Sequence, residues 1–349
     1  MKRPLVVKLG SSLVVDEHGR PRRTLLRDRA AEIATIVDDG TPVCIVSSGA
    51  IALGLQRLEL ARRPTSLPRL QAASALGQAA LQRAWQDALG PHGLDAAQIL
   101  LTSAEIAERR AYVNVRNTLA ALFALGSVPV VNENDATATD EISFGDNDAL
   151  AAQVAVLVNA RLLVLLTSVP GVLREGVLVE DGASARSVDF GPGTAVGRGG
   201  MESKIAAAEL AAGAGIPTVI ADGAAAGILA EALAGRARGT RFAAAEPASA
   251  FKLWLRHGKR VAGRIHVDAG ARRAVVDAGA SLLAVGVTAA DGGFRAGDGV
   301  ELVGPDGDVF ARGIASVDAA DLDKGLQMWR RCTETGSSWV PNRTIRFPK

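Results

Sequence analysis

The sequence predicts an α/β protein: a doubly wound, mostly parallel sheet sandwiched by helices, followed by a small all-β barrel. Three observations carry this expectation. Short apolar runs alternate with helix-spaced segments from Leu5 to about Arg241, the order produced by parallel strands joined through crossover helices. Several of those runs empty into polar residues at their carboxyl ends, where ligands sit in open α/β sheets. After about Pro247 the pattern changes to short alternating runs split by turns such as Asp291-Gly292-Gly293 and Pro305-Asp306-Gly307-Asp308, which mark β-hairpins.

A chain of 349 residues exceeds one typical core, so two domains are expected. The divisions read as a first domain over residues 1–245, a connector over 246–262, a β domain over 263–325 and a tail over 326–349. A net charge of +2 gives no general electrostatic pull towards nucleic acid or an anionic membrane. The β domain, with five arginines against ten acids between residues 263 and 323, also argues against a nucleic-acid surface. Two cysteines form no disulfide framework, and the four histidines lie far apart without metal-ligand spacing, so no protein metal site is expected. No signal-peptide core precedes the first apolar run, and no run reaches the roughly 18 residues that span a bilayer. A cytoplasmic protein with no membrane partner is therefore expected.

Taken in order, Leu5-Val6-Val7 reads as a buried parallel strand that ends in Lys8-Leu9-Gly10-Ser11-Ser12. An ammonium at a strand end, followed by Gly and two hydroxyls, suits a phosphate. A helix over residues 25–38 stops at Gly40, and a strand over 42–46 runs into Ser47-Ser48-Gly49-Ala50. That strand, turn and helix fit an anion-binding turn and an ordinary tight turn with serine caps equally well. A helix over 68–89, a strand over 96–101 and a helix over 114–125 follow. The strand over 128–131 opens into the chain's densest polar stretch, in which six acids fall between Glu133 and Asp148 beside Asn132, Asn134, Thr137 and Asn147. A charge cluster is often only a solvated surface, but the interleaved amides point to convergence on a ligand: a cation, a metal-nucleotide or an amine.

The second half repeats the alternation. A helix over 148–159 leads to a strand over 162–166 that ends in Thr167-Ser168, and residues 171–189 read as a hairpin. Residues 191–200 read as a flexible glycine-rich loop, with Gly197-Arg198-Gly199-Gly200-Met201-Glu202-Ser203-Lys204 passing into a helix over 203–212. Such a loop cradles phosphates and sets a second lysine on a first helical turn, paired with Lys8. A strand over 215–221 and a helix over 227–233 close the first domain. The tail, with six basic residues and one acid beyond Lys324 inclusive, reads as a disordered basic end.

If the two lysines face the phosphates of a nucleotide and the carboxylate loop faces them from across the site, these parts make a phosphoryl-transfer site. Such chemistry needs in-line positioning and cancellation of charge on the moving group, which Lys8 and Lys204 can supply. Two close ammonium groups repel, so an acid must hold them, and Asp148 is the candidate. Mg²⁺ on the phosphates would add positive charge while keeping several waters. A carboxylate acceptor is already ionised at neutral pH, so no general base is needed.

Six motifs together resemble the glutamate 5-kinase family of the amino acid kinase superfamily: Val6-Val7-Lys8-Leu9-Gly10-Ser11-Ser12, Val46-Ser47-Ser48-Gly49-Ala50-Ile51, Val131-Asn132-Glu133-Asn134-Asp135, Phe144-Gly145-Asp146-Asn147-Asp148, Leu165-Leu166-Thr167 and Gly199-Gly200-Met201-Glu202-Ser203-Lys204. The resemblance runs from about residue 5 to 240, and the β domain resembles a PUA domain. It implies an amino acid kinase fold, ATP-dependent phosphorylation of the γ-carboxylate of L-glutamate as the first step of proline synthesis, use of Mg²⁺, inhibition by proline, and a homodimer or homotetramer. It further implies that Lys8 and Lys204 stabilise the transferred group and Asp148 organises them. Ser48, Gly49, Asn132, Asn134, Asp135 and Asn147 would hold glutamate. Lys8, Gly10, Ser11, Thr167, Ser168 and the run Arg198, Gly199, Gly200, Met201, Glu202, Ser203, Lys204 would contact ATP. The chain departs from the family pattern at Ser168, where Asp is usual, at Arg198, where Thr is common, in the short hairpin, and in its tail. Two other functions are consistent with the residues: a kinase of the same superfamily acting on a different carboxylate, and an RNA-binding or regulatory protein built around the β domain.

Overall fold

The computed structural model describes residues 2–58, 64–137, 146–188, 195–245, 261–277, 282–295, 298–315, 317–322 and 344–345. The chain divides into two compact units, Met1–Ala248 and Ser249–Lys349. In the first, β1 (Leu5–Leu9) is buried at all five residues and pairs in parallel with β2 (Val43–Ser47) on one side and β5 (Leu162–Thr167) on the other. Continuous apolar runs suit strands covered on both faces. With β3 (Ala96–Leu101), β4 (Val128–Glu133), β8 (Thr218–Asp222) and β9 (Gly239–Phe242), they make a seven-stranded sheet in the order β3-β4-β2-β1-β5-β8-β9, parallel except for the β8–β9 pair. A small hairpin, β6 (Leu173–Arg174) with β7 (Val177–Leu178), lies apart from it.

Alternate residues of β1 feed two cores, as the strand period requires. Leu5, Val7 and Leu9 pack in a cluster with Leu26 and Ile33 of α2 (Arg23–Asp38) and Leu81 and Trp85 of α4 (Leu67–Leu89). Val6 belongs to the opposite cluster, with Leu150 and Val154 of α7 (Asp146–Leu157) and Leu210 of α9 (Ala195–Gly213). The remaining helices are α1 (Ser11–Val14), α3 (Ala50–Arg57), α5 (Ser103–Ala107), α6 (Arg109–Ala124), α8 (Gly182–Ala185) and α10 (Ile228–Leu233). Cys44 lies in β2, where burial pushes its thiol up to about 12, so it is no nucleophile.

Helix α3 meets α4 backbone to backbone. A Cβ on Gly54 would come within 1.8 Å of the Ala73 carbonyl oxygen, and one on Gly77 within 1.9 Å of that of Ala50. This contact fixes α4 against the turn that precedes α3.

Several local readings change. The glycine-rich run expected as a loop is helical from Ala195, so Lys204 lies some two turns into α9 rather than on its first turn. Three glycines in a row of four weaken a helix by about 1 kcal/mol each, but Met201 packs on the second core and Lys204 is fixed by an ion pair, and tertiary anchoring outweighs that deficit. Helix α6 starts at Arg109 rather than 114 because the Glu108 carboxylate accepts from the Arg110 and Ala111 N–H groups at 2.8 and 2.7 Å. Strand β9 was not foreseen, since Gly239-Thr240-Arg241-Phe242 lacks an apolar run.

The second unit holds a four-stranded sheet, β12-β10-β13-β14, from β10 (Val261–Val267), β12 (Val287–Gly292), β13 (Gly299–Val303) and β14 (Val309–Ile314). Strand β10 is parallel to β13, and the other pairs are antiparallel. Its core gathers Ile265, Val267, Phe294, Val300 and Leu302. The expected barrel carries a helix in addition, α11 (Ala269–Val276), capped by Asp268, whose side chain accepts from the Ala271 N–H at 2.7 Å. Strand β15 (Thr344–Ile345) pairs with β11 (Leu282–Leu283), so part of the tail read as disordered is paired. The connector to residue 260 and the rest of the tail lie outside the described residues. Among the described residues no helix is long and apolar enough to cross a membrane.

Candidate active site

Three buried charged groups define the centre of the first unit. Lys8 sits in β1, one residue before its end; Asp148 is in the first turn of α7; Lys204 is on α9. Lys8 Nζ lies 2.5 Å from Asp148 Oδ1, and Lys204 Nζ lies 3.1 Å from Oδ2. Ser203 Oγ donates to the same Oδ2 at 3.2 Å, and Lys204 Nζ also donates to the Gly200 carbonyl at 3.1 Å. Asp148 is only 1 % exposed. Burial by itself would push its carboxyl up, but Lys8 and Lys204 together outweigh that and hold it below the ordinary carboxylate range. For Lys8, burial pushes the ammonium below its usual value and Lys204 adds to this, while Asp148 opposes both. The cluster carries two cations on one anion in a desolvated place, a local surplus of positive charge suited to an incoming polyanion.

Beside it stands a group of carboxamides. Glu133 N–H donates to Asn147 Oδ1 at 3.2 Å, Asn147 Nδ2 to Asn132 Oδ1 at 3.1 Å, and Asn132 Nδ2 to Gln78 Oε1 at 2.9 Å. Asp135 is buried, and its Oδ2 accepts from Ser74 Oγ at 2.5 Å. The Asn134 N–H is tied to the Leu101 carbonyl at 2.8 Å, which fixes the chain as it leaves β4. At the end of β2, which lies between β4 and β1, the Ser48 N–H donates to the Leu9 carbonyl at 3.1 Å. Gly49 follows with φ of +118°, a left-handed value that favours glycine, and a Cβ there would crowd Val15 at 3.0 Å. The Ser48-Gly49 turn is thereby held against the end of β1.

The residues read from sequence as one site thus fall into three places. Lys8, Asp148, Ser203, Lys204 and the Gly200 backbone meet directly, and a Cβ on Gly10 would lie 3.8 Å from Lys8 Nζ. Asn132, Asn147 and Asp135 belong to the carboxamide side. Thr167 and Ser168 are at the end of β5, and Ser11 is exposed at the start of α1. Met201 packs against the second core and Glu202 is exposed. The side chain of Arg198, the surroundings of Gly199 and the loop with Asp140 and Glu141 lie outside the described residues. One strand away from β5, Asp222 of β8 is in register with Thr167.

Sequence reasoning missed Ser74, Gln78 and Gln98. Ser74 and Gln78 lie four residues apart on the buried stripe of α4, which also includes Leu70, Ala73, Gly77, Leu81 and Trp85. Polar residues at core positions of an amphipathic helix were the available signal.

Comparisons with known proteins bear on the family. Residues 3–222 match the model of the amino acid kinase family, and residues 263–326 match that of the PUA domain. A glutamate 5-kinase of Sphingopyxis alaskensis is 44% identical over 98% of this chain and 95% of its own length. One of Novosphingobium aromaticivorans is 45% identical over 91% and 87%, and one of Methylobacillus flagellatus 41% identical over 93% and 90%. Among solved structures, the N-acetylglutamate synthase of Neisseria gonorrhoeae aligns at a TM-score of 0.52 and 18% identity, over 70% of this chain and 62% of that one; this likeness concerns the fold. The chain belongs to the amino acid kinase family and, within it, to the glutamate 5-kinases, with a PUA domain following the kinase domain.

Proposed function

We propose that this chain transfers the γ-phosphoryl group of ATP to the γ-carboxylate of L-glutamate, giving L-glutamyl 5-phosphate, the first step of proline synthesis. The observation that carries the proposal is the buried Lys8–Asp148–Lys204 cluster beside a group of carboxamides. Lys8 and Lys204 cancel charge on the moving phosphoryl group, and Asp148 keeps both ammonium groups close enough to do so. Asp148 stays anionic and gives up no proton, and none is required, because the acceptor carboxylate is already ionised. Asn132, Asn134 and Asn147, with Ser48 and the Gly49 turn, receive the substrate's carboxylate groups, and Asp135 its ammonium. Gly10, Ser11, Thr167, Ser168 and residues 198–204 form the nucleotide side.

Both oxygens of Asp148 are engaged by lysines, so a direct carboxylate cage for Mg²⁺ is not what the site offers. The ion fits as a partner of the phosphate oxygens and water, and when bound it supplies further cancellation of phosphate charge. The family likeness supports inhibition by proline, a cytoplasmic location and assembly into a dimer or tetramer, and the proposal includes all three. The proposal keeps the domain limits at residues 245, 262 and 325.

A coupled assay of ADP release tests this with glutamate, N-acetylglutamate, aspartate and carbamate as acceptors, each with and without proline. Turnover should be largest with glutamate and fall on adding proline. Absence of ADP release with glutamate would overturn the proposal, as would RNA binding at physiological salt without any turnover.

A further inference from the structure

We infer that Gln78 is a positioning residue of the substrate side: it closes the carboxamide chain whose direction the Glu133 N–H sets, and so holds Asn132 and Asn147 with N–H donors turned to a carboxylate. This rests on the glutamate proposal above and names a determinant of that same site. A carboxamide has an acceptor end and a donor end, and in a chain of them one fixed partner orders the rest. Here the fixed partner is the Glu133 backbone N–H, which only donates. It fixes Asn147 Oδ1 as acceptor at 3.2 Å, which leaves Asn147 Nδ2 to donate to Asn132 Oδ1 at 3.1 Å. Asn132 Nδ2 must then donate, and Gln78 Oε1 accepts it at 2.9 Å. At the far end Gln78 Nε2 faces Gln98 Oε1 at 3.4 Å.

Each NH₂ group in this chain spends one N–H on its neighbour. Asn132 and Asn147 each keep a second, with no partner among the described residues. Carboxylate oxygens only accept, so two such donors select for them. Without an acceptor at position 78, the Asn132 NH₂ group loses its buried partner and the carboxamide is held through its Oδ1 alone. The Glu133 N–H still orients Asn147, but Asn132, tethered at one end only, can swing off that line, so the array loses its order.

The helix that supplies Gln78 is also well placed to act as a rigid mount. Gly77 and Gly54 admit backbone contact between α4 and α3. One turn before Gln78, Ser74 donates to Asp135. Two turns after it, the buried Trp85 indole N–H donates to Ser47 Oγ at 2.9 Å, next to Ser48. A single helix therefore touches the supports of three substrate-side residues: Asn132, Asp135 and Ser48.

The test compares Gln78→Met and Gln78→Glu with the parent enzyme between about pH 5.5 and 8 in the ADP-release assay. Gln78→Met keeps the volume but removes the acceptor, so the glutamate KM should rise on the order of 10–100-fold, with kcat and the ATP KM within about threefold. Gln78→Glu is isosteric. Protonated, it offers Asn132 a carbonyl and Gln98 an O–H; ionised, it sets an anion near an anionic substrate. Its glutamate KM should therefore approach the parent value at low pH and climb with pH where the parent is flat. An unchanged glutamate KM in Gln78→Met, a parallel loss in kcat and both KM values, or a Gln78→Glu profile as flat as the parent's would overturn the inference. If Gln78→Met gives no cooperative melt, the Gln78→Glu pH profile decides alone. Failure of the parent to turn over glutamate sinks the function proposal, whereas normal parent turnover with an unaffected Gln78→Met sinks only the role of Gln78.

Discussion

Replacing Asp148 with Asn removes the one anion between two buried ammonium groups. The carboxylate is 1 % exposed and has Lys8 Nζ at 2.5 Å, Lys204 Nζ at 3.1 Å and Ser203 Oγ at 3.2 Å. An amide of the same shape keeps one oxygen and turns an NH₂ group on a cation. Removing one partner of a buried ion pair costs about 3–5 kcal/mol, which lowers Tm by roughly 6–20 °C for a domain of this size. Loss of one preorganised electrostatic element lowers kcat by about 10²–10³, while the glutamate KM changes little because Asn132, Asp135 and Asn147 remain. The pH dependence shifts in two known directions. Burial lowers the Lys8 pKa and Asp148 opposes this, so without Asp148 the ammonium is lost at lower pH and the basic limb of kcat moves down. In the parent, the folded pKa of Asp148 lies below the ordinary 3.8. Its stabilisation is therefore present above pH 3.8 and is lost as pH falls through the folded value. The Tm gap between parent and variant should close in that acid range. Differential scanning fluorimetry across pH and steady-state kinetics check both; a Tm within about 2 °C of the parent with kcat down less than tenfold would refute the reasoning.

Lys204→Ala should depress kcat far more than it raises the glutamate KM, whereas Asp135→Ala should chiefly raise that KM; equal effects on both parameters in both variants would contradict the division of roles. Ser74→Ala removes the donor to the buried Asp135 carboxylate, a bond worth about 1.5–3 kcal/mol, so it should raise the glutamate KM by roughly tenfold or more without moving the ATP KM. Gly77→Ala sets a methyl group 1.9 Å from the Ala50 carbonyl oxygen, which is backbone and cannot swing aside. Overpacking of this kind costs about 1–3 kcal/mol or more, read as a lower Tm together with a weaker glutamate KM.

The central strands were legible because strands buried on both faces need continuous apolar residues, and Leu5-Val6-Val7 and Leu162-Leu163-Val164-Leu165-Leu166 satisfy that locally. Strand β9 was not, because a four-residue edge strand with Arg241 exposed needs no such run. The glycine run before Lys204 read as a loop because propensity is local, and what makes it helical is Met201 on the core and Lys204 on Asp148. In the second unit, helix α11 escaped notice because its eight residues contain no fully buried side chain.

The sequence by itself determined the alternation of elements and where along each one its chemical groups stand: Lys8 near a strand end, Asp148 at the start of a helix, Asn132 just past a strand that the structure extends to Glu133. Those positions follow from short-range periodicity, which a linear chain displays. Only the tertiary structure decided which groups meet. Lys8, Asp148 and Lys204 converge because β1, α7 and α9 pack around one core, and Ser74 and Gln78 enter the site because two glycines let α4 approach α3 at backbone contact. Their place on the apolar stripe of α4 signals burial, but what gives them partners is the packing of that face against β4, a property of the folded molecule.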